Sequence, residues 1–227
     1  MNIAILLAAG SGTRLGASLP KQFLEVCGKT ILEHTVEAFE SSDDIDEIAI
    51  VTREDYVEKV SELIGEHHPK LKRVLKGGKE RYHSSIAAIE AYTNDDDNIM
   101  IHDAVRPMVS KRIIRDCVEA LRKYDAVDVA VPATDTILQV DENGLICNIP
   151  PRRMLRNVQT PQCFKRRVIA EAYRRGLADP EFVTTDDCGV VHRYMPEVPI
   201  FIVDGESTNI KITFKEDIKT FESYLNR

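Results

Sequence analysis

The beginning of the chain constrains its fold more than any other part, because an apolar run there passes directly into a glycine-rich segment. Residues 3–7 have no polar side chain, which is typical of a strand buried on both faces in the centre of a parallel sheet. The next segment, residues 8–16, contains three glycines: Gly10, Gly12 and Gly16. Such a loop lets the backbone approach a ligand closely, and its N–H groups bind anions. Arg14 and Lys21 add positive charge, so we interpret the segment as a phosphate-binding loop; a glycine-rich strand-to-helix turn is the alternative.

Two familiar phosphate-binding motifs do not describe this loop. The P-loop string G-x-x-x-x-G-K-[ST] does not occur in the chain. The dinucleotide fingerprint G-x-G-x-x-G fails because the last glycine here comes one residue too late. Residues 30–39 also have helical spacing where that fingerprint needs a strand ending in an acidic residue. We therefore expect the loop to bind a nucleoside triphosphate with a different geometry.

Composition narrows the class of protein. A chain of 227 residues with 43% hydrophobic residues predicts one globular domain spanning residues 1–227. The net charge of −7 and the lack of a long basic run argue against nucleic-acid binding. Five scattered cysteines without a C-x-x-C string indicate reduced thiols rather than a zinc site or disulfides. With no membrane-length apolar stretch and no signal peptide, we expect a cytoplasmic protein that does not bind membranes.

Alternating apolar patterns predict an α/β fold. Strands are predicted at residues 3–7, 45–52, 71–76, 98–102 and 126–132, and helices at residues 30–39, 55–64, 84–92 and 110–124. This order predicts a doubly wound, mostly parallel sheet of Rossmann-like type, with helices on both faces and right-handed crossovers. The later chain is predicted to return to the core at residues 159–164, then to form a helix at 166–175, strands at 199–203 and 209–213, and a helix at 215–225.

A predicted β-hairpin interrupts this alternation. Residues 136–140 and 145–149 flank a turn at 141–144, and Pro150 and Pro151 end the second strand. A hairpin inserted in a doubly wound domain projects from it. Either it decorates the surface, or it is a dimerisation arm that also reaches into a neighbouring active site. We favour an arm, at about residues 134–156, that joins a homodimer.

A second glycine-rich string follows the strand predicted at residues 71–76. Gly77 and Gly78 allow a tight turn, and Ser84 and Ser85 can open a helix or hydrogen-bond a base or ribose. A strand-to-helix turn with a capped helix explains the same string equally well.

Asp103 follows a predicted central strand, at the sheet edge where open α/β sheets bind ligands. A carboxylate there can hold Mg²⁺ together with substrate phosphates. Arg106 either pairs with Asp103 or binds a second phosphate. We interpret His102 as structural, because the apolar run continues into it.

Lys211 and the base of the predicted hairpin are two further places where positive charge could meet a phosphate. Lys211 lies in an apolar, strand-like run, where an unpaired ammonium is costly; a phosphate, Asp103 or a purely structural ion pair would each satisfy it. Thr136 and Arg152 lie at the two ends of the hairpin. Because the ends of a two-stranded hairpin lie close together, we expect a small cationic patch there that suits a phosphate.

Several short sequence strings occur in a fixed order and together resemble those of a known protein family. They are I-A-I-L-L-A-A-G-S-G-T-R-L-G, P-K-Q-F, G-G-K-E-R-Y-H-S, H-D-A-V-R-P, D-T, T-P-Q-C-F and N-I-K-I-T, and they extend from residue 3 to about residue 213. Together they resemble the nucleotidyltransferase family of the 2-C-methyl-D-erythritol 4-phosphate and D-ribitol 5-phosphate cytidylyltransferases. The resemblance implies Mg²⁺-dependent transfer of CMP from CTP to a polyol phosphate, with release of pyrophosphate.

The resemblance also implies residue roles. Arg14 and Lys21 would stabilise the pentacovalent α-phosphate, and Asp103 would hold the metal beside a catalytic Lys211. CTP would be bound by Leu7, Ala8, Ala9, Gly10, Gly12, Gly77, Gly78, Arg81, Ser84 and Ala104. The polyol phosphate would be bound by Arg106, Thr136, Arg152, Thr160 and Thr185, with Thr136 and Arg152 donated across the homodimer. No protein nucleophile is needed, because the acceptor phosphate is already an anion near neutral pH.

The acceptor and two competing functions stay open at this point. The string Ile149-Pro150-Pro151-Arg152, and the absence of lysine two residues after Asp135-Thr136, favour ribitol phosphate slightly. The string Leu7-Ala8-Ala9-Gly10 fits the erythritol pattern better. A sugar 1-phosphate nucleotidyltransferase that uses UTP or GTP is a second enzyme class. A nucleotide-binding regulator on the same fold is the non-catalytic alternative.

Overall fold

The computed structural model describes residues 1–10, 19–65 and 68–226. Within them the strands are β1 (Asn2–Leu7), β2 (Glu25–Val26), β3 (Lys29–Thr30), β4 (Glu47–Thr52), β5 (Leu71–Lys76), β6 (Asn98–Asp103), β7 (Ala126–Pro132), β8 (Gln139–Val140), β9 (Ile146–Asn148), β10 (Arg156–Val158), β11 (Gln162–Lys165) and β12 (Ile200–Asp204). The helices are α1 (Ile31–Glu40), α2 (Val57–Ile64), α3 (Arg81–Glu90), α4 (Lys111–Ala120), α5 (Arg166–Leu177), α6 (Asp187–Tyr194) and α7 (Lys215–Leu225). Two predicted ligand-binding residues, Gly12 and Arg14, lie outside the described residues.

The central sheet has the order β5-β4-β1-β6-β11-β7, and β10 and β12 also pair with β7. Its pairs β1–β4, β1–β6, β4–β5 and β7–β12 are parallel. Among the described strands of this sheet, the antiparallel pairs are β10–β7, β11–β6 and β11–β7. The prediction of a doubly wound, mostly parallel sheet is therefore confirmed.

The first strand lies in the middle of this sheet and is buried on both faces. Ala4 and Leu6 pack into a core cluster with helices α1 and α4, whereas Ile3 and Ile5 pack into a second cluster with α3 and α5. All four side chains are 0% exposed. A fully buried isoleucine or leucine contributes about 2 kcal/mol of hydrophobic free energy. The absence of polar side chains in residues 3–7 is thus explained by burial on both sides.

Helix boundaries follow local capping. Thr30 caps α1, with its hydroxyl accepting from the backbone N–H of Glu33, and Ser110 caps α4, with its hydroxyl accepting from the backbone N–H of Ile113. Helix α3 begins at Arg81, three residues before the predicted start. Glu80 precedes it, and its backbone N–H donates to Nδ1 of His83 at 3.1 Å. Ser84 and Ser85 are consequently buried within the helix instead of opening it.

The late part of the chain departs from the prediction at two places. The strand predicted at residues 209–213 is wrong, because this segment is a loop with no ladder to a neighbouring strand. Asn209 is held by its side chain, which donates to the carbonyl of Thr160 at 2.9 Å, and the backbone N–H of Ile212 donates to Val105 at 2.9 Å. Helix α6 was not predicted. Its N-cap is Asp186, whose carboxylate accepts from the N–H of Gly189 at 2.9 Å.

The predicted hairpin is present between β7 and β10, although its paired region is shorter than expected. Strands β8 and β9 are antiparallel, and the Asp141 carboxylate accepts from the N–H groups of Asn143 and Leu145 at the turn. Gly144 has φ +79°, a conformation that favours glycine. At the base, Nη1 of Arg152 donates to the carbonyl of Thr134 at 2.9 Å. The two ends of the hairpin therefore lie together, as predicted.

Two other features of the described residues bear on the class of protein. None of their helices combines the length and apolar character needed to cross a membrane. All five cysteines are free thiols: Cys27 and Cys147 are exposed, and Cys117, Cys163 and Cys188 are buried.

Candidate active site

A cavity of about 600 Å³ opens at the carboxyl ends of the parallel strands β1, β4 and β6. It is lined by Leu7, Ala8, Ala9, Gly10, Lys21, Gln22, Arg53, Gly78, Lys79, Glu80, Arg81, Ser84, Asp103, Val105, Lys211 and Thr213. This is the edge at which open α/β sheets bind ligands. Ten residues that the sequence predicts to bind ligand or metal meet here: Leu7, Ala8, Ala9, Gly10, Lys21, Gly78, Arg81, Ser84, Asp103 and Lys211.

The backbone after β1 is fixed at the cavity wall by Gln22. This side chain is 1% exposed, and its Nε2 donates to the carbonyls of Ala8 at 2.6 Å and Gly10 at 3.2 Å. The N–H of Ala8 donates to Val51 at 2.7 Å. Sequence reasoning placed Gln22 in the P-K-Q-F string without a role. The structure gives it one, because it orders the start of the predicted phosphate loop.

Lys21 projects toward the same cavity from the short helical turn Lys21–Phe23. Its Nζ donates to the carbonyl of Ile212 at 2.8 Å. Lys211 and Thr213, on either side of Ile212, also line the cavity. The hydrogen bond therefore joins the beginning of the chain to the loop that carries Lys211.

Gly78, the second residue of the glycine pair after β5, lines the opposite wall. A Cβ atom at Gly77 would lie 2.5 Å from Oγ of Ser84 and 3.1 Å from Cβ of Ala9, so a larger residue here would displace the Ser84 hydroxyl. Ser84 lines the cavity, and its hydroxyl is buried with no hydrogen-bond partner among the described residues. A buried, unsatisfied hydroxyl at a cavity wall is a donor and acceptor available to a ligand.

Asp103 is the anionic centre of the cavity. Its carboxylate lies 2.8 Å from Nζ of Lys211, 3.6 Å from Nε of Arg81 and 3.7 Å from Nε of Arg106. Burial disfavours the charged carboxylate, yet the cations hold the pKa of Asp103 well below its usual range, with Lys211 contributing most. Asp103 is therefore ionised at every physiological pH. The expectation that Lys211 needs an acidic partner is confirmed, although Lys211 lies in a loop and its side chain is 40% exposed.

Arg106 lies behind the cavity rather than on its wall. Its side chain is 12% exposed, Nη1 donates to the carbonyl of Asn209 at 2.8 Å, and Nε faces Asp103. Of the two interpretations of Arg106, the structure thus shows the pairing with Asp103. Gly77 and Ala104 are also absent from the described lining, and the backbone N–H of Ala104 donates to Leu7 at 3.1 Å.

His102 and Thr160 form a buried polar contact beneath Asp103. The ring Nε2 lies 3.0 Å from the carbonyl of Arg106, which can only accept, so Nε2 carries a proton. Burial lowers the pKa of His102 to about 4, so the ring is neutral and Nδ1 accepts from the Thr160 hydroxyl at 3.0 Å. The same hydroxyl accepts from the N–H of Asp103 at 3.1 Å. His102 is structural as predicted, and the Thr160 side chain faces these partners instead of the cavity.

The remaining predicted acceptor residues lie elsewhere in the single chain. Thr136, Arg152 and Thr185 are exposed and do not line the cavity. Arg152 instead lines a second cleft of about 510 Å³ at the base of the hairpin, with Pro132, Ala133, Pro151, Arg153 and Arg156. The contribution of Thr136 and Arg152 to the site of a second chain, and that of Thr185 to acceptor binding, stay predictions.

Sequence reasoning missed several residues of the site. Arg53 lines the cavity and follows β4, so the rule that ligands bind beyond strand ends would have found it. Asp187 is buried, and its carboxylate accepts from Nη1 of Arg81 at 2.5 Å. Burial opposes the charge of Arg81, but Asp187 and Asp103 raise the pKa of this guanidinium above its usual value. The signal for Asp187 was the acidic pair in T-T-D-D, which the sequence alone could not connect to Arg81.

Comparison with known proteins identifies the family. The family model described as IspD, 2-C-methyl-D-erythritol 4-phosphate cytidylyltransferase, matches residues 2–227. The chain belongs to this family. A 2-C-methyl-D-erythritol 4-phosphate cytidylyltransferase of Thermobifida fusca is 44% identical over 229 residues, covering 98% of this chain and 92% of the relative.

A second member of the same set of relatives carries a different name. The bifunctional ribulose 5-phosphate reductase/CDP-ribitol pyrophosphorylase Bcs1 of Haemophilus influenzae is 40% identical over 234 residues, covering 98% of this chain but 48% of that protein. Among solved structures, a 4-diphosphocytidyl-2C-methyl-D-erythritol synthase of Anaerococcus prevotii matches with a TM-score of 0.89 and 30% identity, covering 100% of this chain and 96% of the other. The resemblance to the cytidylyltransferase family that the motifs indicated is thus confirmed.

The donor set of the cavity fits a divalent cation of the magnesium type. No group of three or more histidine, cysteine, aspartate or glutamate side chains in the described part of the chain is arranged to hold a metal. Mg²⁺ does not need such a group, because it keeps several waters and binds through one or two carboxylates plus substrate phosphates. Asp103 offers one ionised carboxylate at the wall of a cavity large enough for a triphosphate.

Proposed function

We propose that this chain transfers CMP from CTP to a polyol phosphate and releases pyrophosphate. The observation that carries the proposal is the cavity at the ends of β1, β4 and β6. There the backbone after β1, the cations Lys21 and Lys211 and the carboxylate of Asp103 converge in a member of a cytidylyltransferase family. A triphosphate matches this arrangement, because its negative charge suits the cationic side chains at the cavity and its oxygen atoms are the ligands that a bound cation needs.

The chemistry requires no covalent intermediate on the protein. An oxygen of the acceptor phosphate attacks the α-phosphorus of CTP, and the bond from that phosphorus to the β-bridging oxygen breaks as pyrophosphate leaves. No cysteine or histidine is among the described residues that line the cavity. Lys21, Lys211 and Arg81 stabilise the negative charge that develops on the phosphates, which is the main contribution of sites of this kind.

The two walls of the cavity divide the binding of CTP between them. The backbone of Ala8, Ala9 and Gly10 faces the phosphates, and Gly78 and the unsatisfied hydroxyl of Ser84 face the base and ribose. Asp103 would hold Mg²⁺, which when bound neutralises charge on the phosphates. Arg14 and Gly12 belong to the proposed loop by sequence alone.

The hairpin would serve the acceptor side in a homodimer. Five of its large apolar side chains are more than half exposed: Val140, Leu145, Ile146, Ile149 and Met154. Apolar side chains concentrated on one projecting element mark an interaction surface. A second copy of the chain would cover them, and Thr136 and Arg152 would then contact the polyol phosphate in the partner's cavity.

Two acceptors are to be tested against each other. The family description and the Thermobifida fusca relative favour 2-C-methyl-D-erythritol 4-phosphate. The I-P-x-R string of the arm and the Haemophilus influenzae relative favour D-ribitol 5-phosphate. We rank the erythritol acceptor first, because it is supported by the family description over nearly the whole chain. The free thiols are compatible with a reducing compartment, and we propose the cytoplasm.

The test is a matrix of pyrophosphate release with four nucleoside triphosphates and a panel of acceptors. The panel contains both polyol phosphates and several sugar 1-phosphates. We expect release with CTP and one of the two polyol phosphates only. Release with UTP or GTP and a sugar 1-phosphate would assign the chain to the other enzyme class. Nucleotide binding without release under any condition would support the regulator instead.

A further inference from the structure

Asp187 is a buried carboxylate outside the cavity that the proposed chemistry does not use. It is 0% exposed and begins helix α6. Each of its oxygens accepts one hydrogen bond: Oδ2 from Nη1 of Arg81 at 2.5 Å, and Oδ1 from the hydroxyl of Tyr173 at 2.6 Å. A charged group removed from water to this degree is costly unless it is paired, so its partners define its role.

The position of Asp187 is fixed from behind by Gln162. This amide is 0% exposed, and its Oε1 accepts from the backbone N–H of Asp187 at 3.0 Å. Its Nε2 donates to the carboxylates of Asp186 at 2.8 Å and Asp128 at 3.2 Å. The amide therefore joins the start of α6, through Asp186 and Asp187, to Asp128 in strand β7. Asp187 is thus presented to Arg81 as a rigid anion.

Arg81 lies between the carboxylates of Asp187 and Asp103, and it is closer to Asp187. Its Nη1 contacts Asp187, while its Nε is 3.6 Å from Asp103, beyond hydrogen-bonding distance. Arg81 lines the cavity, and its side chain is 29% exposed. Without the charge of Asp187, the guanidinium would move toward Asp103. That movement would take a cation away from the nucleotide side and place it on the carboxylate that already pairs with Lys211.

We propose that Asp187 is a positioning residue for the nucleoside triphosphate: it holds the guanidinium of Arg81 at the cavity wall, so that Nε stays 3.6 Å from Asp103 and does not hydrogen-bond to it. The proposal rests on the proposed cytidylyltransferase function. A planar guanidinium anchored on one edge by a carboxylate presents its remaining N–H groups in a fixed orientation. Asp187 therefore lowers the cost of ordering Arg81 when a phosphate or base binds.

The substitution Asp187→Asn tests this directly, because it keeps the size of the side chain and removes its charge. CTP binding is measured by calorimetry in the absence of acceptor, and steady-state kinetics are measured for both substrates. We expect CTP affinity and kcat/KM for CTP to fall by about 10- to 100-fold, the loss that a misplaced binding group produces. KM for the acceptor should stay within about twofold, since the acceptor does not depend on Arg81.

Two further variants separate positioning from a purely structural role. Tyr173→Phe removes the hydrogen bond to Oδ1 but leaves the Asp187–Arg81 ion pair, so its CTP affinity should match the wild type. Arg81→Ala and the double variant Arg81→Ala/Asp187→Asn should bind CTP equally weakly, because Asp187 acts through Arg81. Additive losses in the double variant would overturn the proposal.

Folding is checked by circular dichroism and thermal unfolding. If Asp187→Asn does not fold, Asp187→Glu decides the question, because it keeps the charge and moves it by one methylene. We expect the glutamate variant to bind CTP at least about threefold more weakly than the wild type, with an unchanged KM for the acceptor. Wild-type affinity for CTP in a folded Asp187 variant would overturn the proposal. A wild-type protein that releases no pyrophosphate with any acceptor would instead overturn the proposed function.

Discussion

Positive charge converges on a single residue of the cavity, Asp103. Among the residues that the structure describes, three cationic side chains lie within 3.7 Å of its carboxylate. Even when Asp187 is counted against Arg81, positive charge remains in surplus. A low-dielectric cavity makes such a surplus costly, and an anionic ligand relieves it. The charge of the site therefore suits a polyphosphate. We expect substitution of the lysines at its edge to lower kcat most.

Lys21→Ala should lower kcat by about 100- to 1000-fold without unfolding the protein. The ammonium is held at the cavity through the carbonyl of Ile212, and in the proposed reaction it would stabilise the charge that develops on the phosphates. The matched control is Lys29→Ala, whose ammonium pairs with Glu37 at an exposed site away from the cavity. Near-normal turnover of the Lys21 variant, with the control also active, would contradict the assignment of Lys21.

Asp128→Asn should stabilise the protein at neutral pH. Burial raises the pKa of Asp128 to about 6, although hydrogen bonds from Gln162 and Val129 oppose the shift. In the wild type this group favours folding below its unfolded pKa near 4, and that contribution is lost as the pH rises through 6. An asparagine keeps an oxygen acceptor and carries no charge.

The expected gain from Asp128→Asn is about 2 to 3 kcal/mol in the free energy of unfolding at pH 8, since one pKa unit corresponds to about 1.4 kcal/mol. The difference from the wild type should shrink below pH 6 and vanish near pH 4. Urea unfolding at several pH values measures it. A variant that is less stable than the wild type at pH 8 would show that the charged form of Asp128 is well accommodated.

Among the elements of the fold, the turn of the hairpin could be predicted from the sequence. The extent of its strands and the loop at residues 209–213 could not. The turn of the hairpin is encoded locally by Asp141 and Gly144, so its position was predictable. The extent of its pairing was not, because exposed strands without a core to pack against are specified weakly. Likewise, residues 209–213 have the alternation of a strand but lie where the sheet offers no partner.

Arg152→Ala should raise KM for the polyol phosphate more than KM for CTP. The reason is that Arg152 lies at the base of the hairpin, outside the cavity that would bind CTP. The control is Arg122→Ala. Arg122 follows helix α4, is exposed and pairs with Glu119. Equal effects on both KM values would argue against contact between the arm and the acceptor.

Leu145→Asp should weaken the homodimer that we propose. Leu145 is 66% exposed on the hairpin, and a carboxylate there would be buried without a partner when the second copy binds. Leu177→Asp is the matched control, because Leu177 is 53% exposed at the end of helix α5. Sedimentation velocity should show dissociation of the hairpin variant at protein concentrations where the control remains a dimer. A monomeric wild type would contradict the arm's role.

For the whole molecule, the sequence predicted the sheet and most of the cavity because both depend on short, local strings. The apolar run of β1, the glycines that follow it and Asp103 at the end of β6 all meet at one edge of the sheet by the rules of parallel sheets. What could not be predicted were contacts between distant segments. Asp187 reaches Arg81 across 106 positions, and Lys21 reaches Ile212 across 191.

Those distant contacts decide which groups face the ligand. Thr160 and Arg106 are near the cavity in the fold, yet their polar atoms are turned toward His102 and Asn209. Residue type and spacing give the set of candidates, whereas packing determines the orientation of each side chain. The acceptor residues on the hairpin remain predictions, because the homodimer that would complete their surroundings is itself proposed.

In the proposed reaction, the acceptor phosphate attacks the α-phosphorus of CTP in the cavity beside Asp103. The most direct measurement follows two labels, one in the α-phosphate and one in the γ-phosphate of CTP, during reaction with 2-C-methyl-D-erythritol 4-phosphate or D-ribitol 5-phosphate. We expect the α label to appear in a CDP-linked polyol and the γ label in pyrophosphate, each only when an acceptor is present. Transfer of the γ label to the acceptor, or no acceptor-dependent product at all, would contradict it.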